Sequence, residues 1–384
     1  MAFRTMNAAR RAQPRKRAGR HLRRDRRIIA LSLTVAVGAS AAVGGQLALA
    51  APAPEPVVEA AAAPLSDGVL DLGFTGDTML GDGAMSKITE EGPESVLAGV
   101  APMLSGFDFT IINSEVPFTT STAPNNPGAK YSYASDPAYL PVLHALGVDA
   151  INLGNNHAMD RGPVGLADTL QAAADTGVAA FGAGADQAQA SMPLMVRSGQ
   201  LDVAVVSFGE NFGPLQRSTD VSAGMLPLKP DRIERGIRVA RDNGADRVVA
   251  FVHWGDNYAD VNDQQRYWAG LFAEAGYDVV IGSGSHTLQP VDVIGDMPVV
   301  YSMGNFVFGA PGRFASYGRP GLGAVVGLRW ADDGAGELSI RVIETDNLLT
   351  DYVARPVTGA ELGPARKILG PRVAWSGDVG SVTF

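Results

Sequence analysis

Five apolar segments of this chain each end in polar residues of the types that bind metal and move protons. Asp77 follows "LGFTG", Asn113 and Glu115 follow or flank the end of "FTII", and Asn155, Asn156, His157 and Asp160 come after "AINLG". His253 follows "VVAFV", and His286 and Gln289 come after "VVIGSGS". Three of the five histidines in the sequence stand at these ends; His21 lies in a basic leader and His144 inside the helical "YLPVLHALG". Carboxylate, amide oxygen and neutral imidazole form a donor set suited to Mn, Fe or Zn and unsuited to a soft copper site. One carboxylate shared by two such ions, flanked by imidazole and amide donors, makes a clamp for hydrolysing a phosphoryl or acyl-type bond, with water activated by the metal as nucleophile. His157 suits another task. Three residues before Asp160, it can protonate a leaving group while the aspartate fixes its tautomer.

Such residues act together only if the chain brings them together. From Val69 onward, short apolar β-type runs alternate with helical patterns, the sequence form of an α/β or layered α-β-β-α domain. Strands are expected at "VLDLGFT", "FTIIN", "VDAINL", "PLMVRS", "LDVAVVSF", "RVVAFVH", "YDVVIG", "VDVIG" and "MPVVYS". "AVVGLRW" and "ELSIRVIE" flank the turn-rich "ADDGAG" and read as a β-hairpin. Helices are expected over residues 137–146, 163–176, 231–242 and 263–275, the first two opening on proline. In α/β sheets the loops after strand carboxyl ends share one crevice, so the five polar groups are expected to converge there.

Charge divides the chain. Residues 1–27 carry eleven Lys/Arg and one Asp, whereas the rest carries twenty basic and thirty-nine acidic residues, a net −19. A body this acidic argues against nucleic acid as a partner. Without cysteine there are no disulfides, thiolate metal sites or cysteine nucleophiles. After the basic leader (1–27), residues 28–50 are uncharged and read as a signal-peptide core or an uncleaved membrane anchor, with everything beyond exported. Residues 51–66 read as a Pro/Ala-rich linker that does not pack, 67–350 as one catalytic-type domain, and 351–384 as an extension packing on it.

Six ordered motifs carry a resemblance: "GDTMLGDG", "INSEVPFT", "LGNNHAMDRG", "VHWGDNY", "SHTLQPVDV" and "YSMGNFVF". In order and spacing they resemble the CapA-like, poly-γ-glutamate capsule synthesis family, which has the calcineurin-like metallophosphatase fold. The likeness runs from about Val69 to at least Phe308. It implies a four-layer α-β-β-α sandwich of metallophosphatase type, an extracytoplasmic location, and a part in making, anchoring or trimming an anionic cell-surface polymer such as poly-γ-glutamate, or in its synthesis complex. It also implies a ligand set: Asp77, Glu115 and His286 for one divalent ion, Glu115, Asn156 and His253 for another, with His157 as general acid beside Asp160. Three departures stand out. Met79 and Gly284 occupy positions where a full dinuclear site has histidine, and Asn257 stands where the family tends to carry glutamate. Two ions, one, or none at rest are therefore all compatible with the sequence. Asn113, Asn155, Arg161, Gln289 and Asn305, together with Arg313, are the candidates for contact with substrate; for Gln289 and Asn305 a turn-forming role is the alternative. The residues thus support a metal-dependent hydrolase or, from another class, a non-catalytic assembly or polymer-binding component with a degenerate site.

Overall fold

A computed structural model describes residues 54–62, 65, 69–210, 213–331 and 334–384; the expected leader and membrane-inserting segment lie outside the described residues. Among the described residues no helix is long and apolar enough to cross a membrane.

Two mixed sheets form the body. In the first, of seven strands, the spatial order is Val58–Ala61, Leu194–Arg197, Val203–Gly209, Arg247–His253, Val279–Ser283, Met297–Val300 and Val291–Ile294. In the second, of ten, it is Ala374–Ser376, Val379–Thr383, Gly336–Glu344, Leu322–Trp330, Leu72–Met79, Phe109–Ser114, Ala150–Asn152 and Ala179–Phe181, with Asn305–Phe308 and Arg355–Pro356 pairing off this path. The strands that carry the polar ends are mutually parallel within each sheet. Their unbroken apolar runs reflect burial on both faces, as parallel strands require.

Side-chain alternation decides what each face meets. Val249 and Phe251 share a core with Leu72, Phe74, Phe109 and Ile111 of the other sheet, and the Phe74 and Phe251 rings meet edge-on at 5.7 Å. Val248, Ala250 and Val252 turn the other way, toward Ile233 and Ala240 of the helix Pro230–Asp242 and Ala269 and Phe272 of Asp263–Ala275. On the far side of the second sheet, Ile112 and Ile151 pack with Leu140 and Leu143 of Tyr139–Ala145 and Leu166 and Ala173 of Gly162–Thr176. The layers therefore run helix, sheet, sheet, helix. All four expected helices form within two residues of their expected ends. Asp263–Ala275 is fixed by a reciprocal cap, in which Asn262 Oδ1 accepts from the Gln265 amide (2.8 Å) and Gln265 Oε1 from the Asn262 amide (3.1 Å).

Two segments differ from the sequence expectation. Within the linker, Val58–Ala61 packs as an edge strand parallel to Leu194–Arg197, while Glu55 pairs with Arg235 and Arg238 of the helix beneath. Sequence composition concealed this because the partners are about 140–180 residues away. The C-terminal extension does more than pack on the domain: Val379–Thr383 continues the second sheet beside Gly336–Glu344, and Leu362, Leu369 and Val373 enter the inter-sheet core.

Candidate metal centre

The same alternation that builds the inter-sheet core delivers the site. Along Phe109–Ser114, Phe109 and Ile111 face the other sheet, so Asn113 does too; along Arg247–His253, Val249 and Phe251 are followed by His253. Strict alternation from Leu72 and Phe74 would put Gly76 there and turn Asp77 away. The ladder slips between Thr75 and Asp77, a bulge that restores Asp77 to the inter-sheet side. Only glycine fits at 76, since a Cβ would stand 1.8 Å from the Gly304 carbonyl oxygen.

At the carboxyl edge, Asp77, Glu115 and His286 each offer a donor atom, all within 4.8 Å of one another. His286 Nδ1 lies 3.1 Å from Asp77 Oδ2 and its Nε2 3.7 Å from Glu115 Oε1. His253 reaches the same two acids, Nδ1 at 3.7 Å from Asp77 Oδ1 and Nε2 at 3.6 Å from Glu115 Oε1. His157 Nε2 approaches Glu115 Oε1 at 4.0 Å, while its Nδ1 is 2.7 Å from Asp160 Oδ2. The three strand-end histidines thus surround one carboxylate.

Glu115 is fully buried, yet neither of its oxygens has a hydrogen-bond partner, and the Asn156 Oδ1 is likewise buried and unpartnered. Buried acceptors are ordinarily satisfied, and leaving one bare costs about 1–3 kcal/mol. A bare carboxylate facing imidazoles, with a bare amide oxygen on the residue before His157, is what a divalent cation would satisfy, so the donor set fits the metal that its chemistry suggests. Electrostatics agree. Burial and the neighbouring Asp77 charge push the Glu115 carboxyl well above the usual range. Burial also pushes Asp77 up, but the hydrogen bond and charge of His286 outweigh it and hold Asp77 low. Burial drives His253 down to about 4, leaving its ring neutral and ready to ligate. For His286, burial is overcome by Glu115 and Asp77, which raise it to about 9.

Around these donors lies a web of amides. Asn113 Nδ2 donates to Asp77 Oδ1 at 2.8 Å and meets His253 Nδ1 at 3.1 Å, and its Oδ1 accepts from Asn152 and Asn155, both at 3.2 Å. Asn155 Oδ1 in turn accepts the His157 and Ala158 amides at 3.0 Å, fixing the turn that presents Asn156 and His157. Asn113 and Asn155, expected to touch substrate, are instead fully buried and hold Asp77 and the His157 turn in place. Asn305 Oδ1 meets His286 Nδ1 at 2.9 Å and so orients that ring. Gln289 bridges Gln265 and the Ala259 carbonyl, away from the donors. Arg161 is committed to Ser132 through two hydrogen bonds. Asn152 and Ser283, the latter 3.3 Å from His253 Nδ1, join the web without a sequence signal beyond lying at strand ends.

The two missing histidines are not vacant slots. Met79 is buried with Val116 and Phe308. Gly284 has φ +102, and its amide donates to both Asp77 oxygens at 3.2 Å. A Cβ there would lie 2.9 Å from His253 Cδ2 and from the Trp254 backbone. Gly284→Ala is therefore expected to lose about 2–4 kcal/mol of stability through backbone strain and overpacking. Denaturant unfolding of the metal-free chain measures it, and an unchanged midpoint would refute the constraint.

A family model described as "Bacterial capsule synthesis protein PGA_cap" matches residues 71–310. The PGA biosynthesis protein CapA of Bacillus subtilis is 32% identical over 246 residues, covering 63% of this chain and 64% of that protein. The capsule biosynthesis protein CapA of Bacillus anthracis is 28% identical over 245 residues, 62% of this chain and 60% of that one. The chain thus matches less than two thirds of the length of either relative. Among solved structures, a putative 5'-nucleotidase from Staphylococcus aureus is similar at 13% identity and a TM-score of 0.41, over 69% of this chain and 52% of that one.

Proposed function

The chain belongs to the bacterial capsule synthesis protein PGA_cap family, and from that premise we propose that it is an exported accessory enzyme of capsule or poly-γ-glutamate synthesis, hydrolysing an anionic cell-surface polymer at a metal centre of metallophosphatase type. The observation that carries this reading is the bare Glu115 carboxylate, whose Oε1 is ringed by His157, His253 and His286. Asp77, Glu115 and His286 would hold one ion, and Glu115, Asn156 and His253 are the donors available to a second. When bound, a divalent ion supplies Lewis acidity toward the scissile group and toward water. The chain's own residues do the rest. His286, through its hydrogen bond and charge, holds Asp77 low while Asn113 and the Gly284 amide aim it, Asn305 orients His286, and Asp160 holds His157 with Nε2 turned to the cluster. From that atom a proton can pass to a leaving amine or alcohol. Export, by the uncharged segment 28–50 acting as signal or anchor, belongs to the same proposal.

A second reading has its own observation. Met79 and Gly284 are built into packing and backbone where further ligands would stand, which favours a degenerate site in a polymer-binding assembly component. Elemental analysis of the purified full chain, with a γ-linked glutamate oligomer assayed for new amine ends, separates the two. Near-stoichiometric transition metal and chelator-sensitive shortening are expected. A metal-free chain that binds the oligomer without cutting it would replace the enzyme with the adaptor.

A further inference from the structure

An acidic protein that handles an acidic chain needs local positive charge, and the mouth of the centre has it. Three strand-end loops bring aromatic rings there. Tyr133 stacks near His157 (4.8 Å between centroids) and Tyr131 on Tyr133 (6.1 Å); across the mouth, Tyr258 lies 5.7 Å from His286 and 4.9 Å from Tyr317. Tyr258 is held in a left-handed conformation (φ +58), its amide bonded to the Ser285 carbonyl and its carbonyl accepting from Arg319 Nε. A bulky residue keeps such a backbone only where its surroundings over-determine it, and such strain gathers at functional positions.

Between these two aromatic walls sits Arg313. Its guanidinium lies 4.7 Å from the Tyr131 centroid and 6.0 Å from that of Tyr258. The guanidinium has no carboxylate or hydrogen-bond partner among the described residues, in contrast to that of Arg161, spent on Ser132, and that of Arg319, paired with Asp260. Lys130, exposed, stands 5.1 Å from the Tyr131 centroid and is likewise without an acid partner among them. Ring faces hold a cation in place while leaving its hydrogen-bond donors free. In a body of net charge −19, two cations without acid partners that both lie against the Tyr131 ring concentrate positive charge locally. A cleft of about 260 Å³ beside His157, lined by Asn156, Tyr131, Ser132, Asn126 and Gln216, shares the Tyr131 ring with them and gives room for a residue of a chain.

We propose that Arg313, gripped between Tyr131 and Tyr258 and assisted by Lys130, is the clamp for a carboxylate of the substrate chain, setting the unit adjacent to the scissile bond against the metal centre. This rests on the hydrolase reading for what happens to the bound chain, but the clamp itself is a binding claim. A single ring, Tyr258, separates Arg313 from His286, so the group it grips belongs to the unit next to the bond at the centre. A planar fork matches a carboxylate through two parallel hydrogen bonds, which lysine cannot reproduce.

The test uses the full chain, metal-loaded, and calorimetry with three probes: a γ-linked glutamate hexamer, the same hexamer with its α-carboxyls amidated, and a glycerol-phosphate oligomer. Arg313→Gln is expected to weaken the acidic hexamer roughly tenfold or more, Arg313→Lys to recover part of it, and neither to alter metal content or thermal stability. The amidated hexamer is expected to bind wild type weakly and to be indifferent to Arg313→Gln. Hexamer binding unchanged by Arg313→Gln would overturn the clamp, as would no binding of any probe. Loss of phosphate-oligomer binding alone would overturn the carboxylate as its ligand. Loss of hexamer binding in Arg313→Gln, with no cleavage by wild type, would uphold the clamp and sink the hydrolase.

Discussion

Glu115→Gln is expected to strip the chain of metal and reduce hydrolysis to the level of the chelated protein, while leaving the metal-free fold at least as stable as wild type. Glutamine keeps the shape of the side chain, so nothing need repack. What changes is charge. Glu115 is the one donor approached by all three strand-end histidines, at 3.6, 3.7 and 4.0 Å. Loss of an outer hydrogen-bond partner at a metal site typically costs roughly 10–100-fold in affinity, and loss of a shared anionic ligand is expected to exceed that. Stability should move the other way. Because burial raises the Glu115 pKa above its unfolded value, the folded protein binds more protons than the unfolded chain as pH rises past the usual carboxylate range, so this carboxyl lowers stability toward neutral pH. An amide removes that cost. Metal binding must also displace the proton from Glu115, so wild-type affinity is expected to rise with pH and calorimetry in two buffers to register proton release. In Glu115→Gln that component disappears. Retention of both metal and proton release in the variant would remove Glu115 from the centre.

How far the sequence disclosed this arrangement depended on locality. The period of the apolar runs and the proline and glycine at helix ends are local signals, and they located most of the parallel strands, the three longest helices and Tyr139–Ala145, but not the short parallel strands Val58–Ala61, Ala179–Phe181 and Asn305–Phe308 or the helices Met85–Glu91 and Gly363–Leu369. Asp77, His253 and His286 were readable because a polar residue after an apolar strand must lie at the carboxyl edge, wherever the strand sits. Orientation was less readable. Asn113 and Gln289 have the same local setting as the candidate ligands, yet one is a buried hub and the other ties down Gln265, because partners from distant segments decide where an amide points. Alternation alone misplaces Asp77; the bulge at Gly76 that corrects it depends on the close approach of Gly304, more than two hundred residues away in sequence. The missing histidine at 284 read as a lost ligand, whereas its backbone conformation and its hydrogen bonds to Asp77 make glycine an active part of the centre. Arg161 and Arg313 were equal candidates in sequence, and only the ring faces and the Ser132 hydrogen bonds distinguish them.

His157→Ala is expected to lower turnover by roughly 10²–10⁴-fold with metal content intact, the range ordinarily lost with a positioned acid. The geometry gives the imidazole two separate tasks. Nδ1 is tied to Asp160 Oδ2 at 2.7 Å, and that oxygen also accepts the Tyr133 amide at 2.7 Å, so the carboxylate cannot swing away. The Tyr133 ring, 4.8 Å off, fixes the plane of the imidazole. Nε2 is left to face Glu115. A ring that only supported the fold would slow all substrates alike. A proton donor would not, because the need for a proton grows with the basicity of the leaving group. The deficit in His157→Ala is therefore expected to be large for a γ-glutamyl amide, whose leaving amine must be protonated, and small for an activated ester releasing a nitrophenolate. Asp160→Asn, which preserves the size of the side chain but removes the anion orienting Nδ1, should show the same selectivity to a lesser degree. Equal losses on both substrates would assign His157 to structure alone, and the proton would have to come from elsewhere in the pocket.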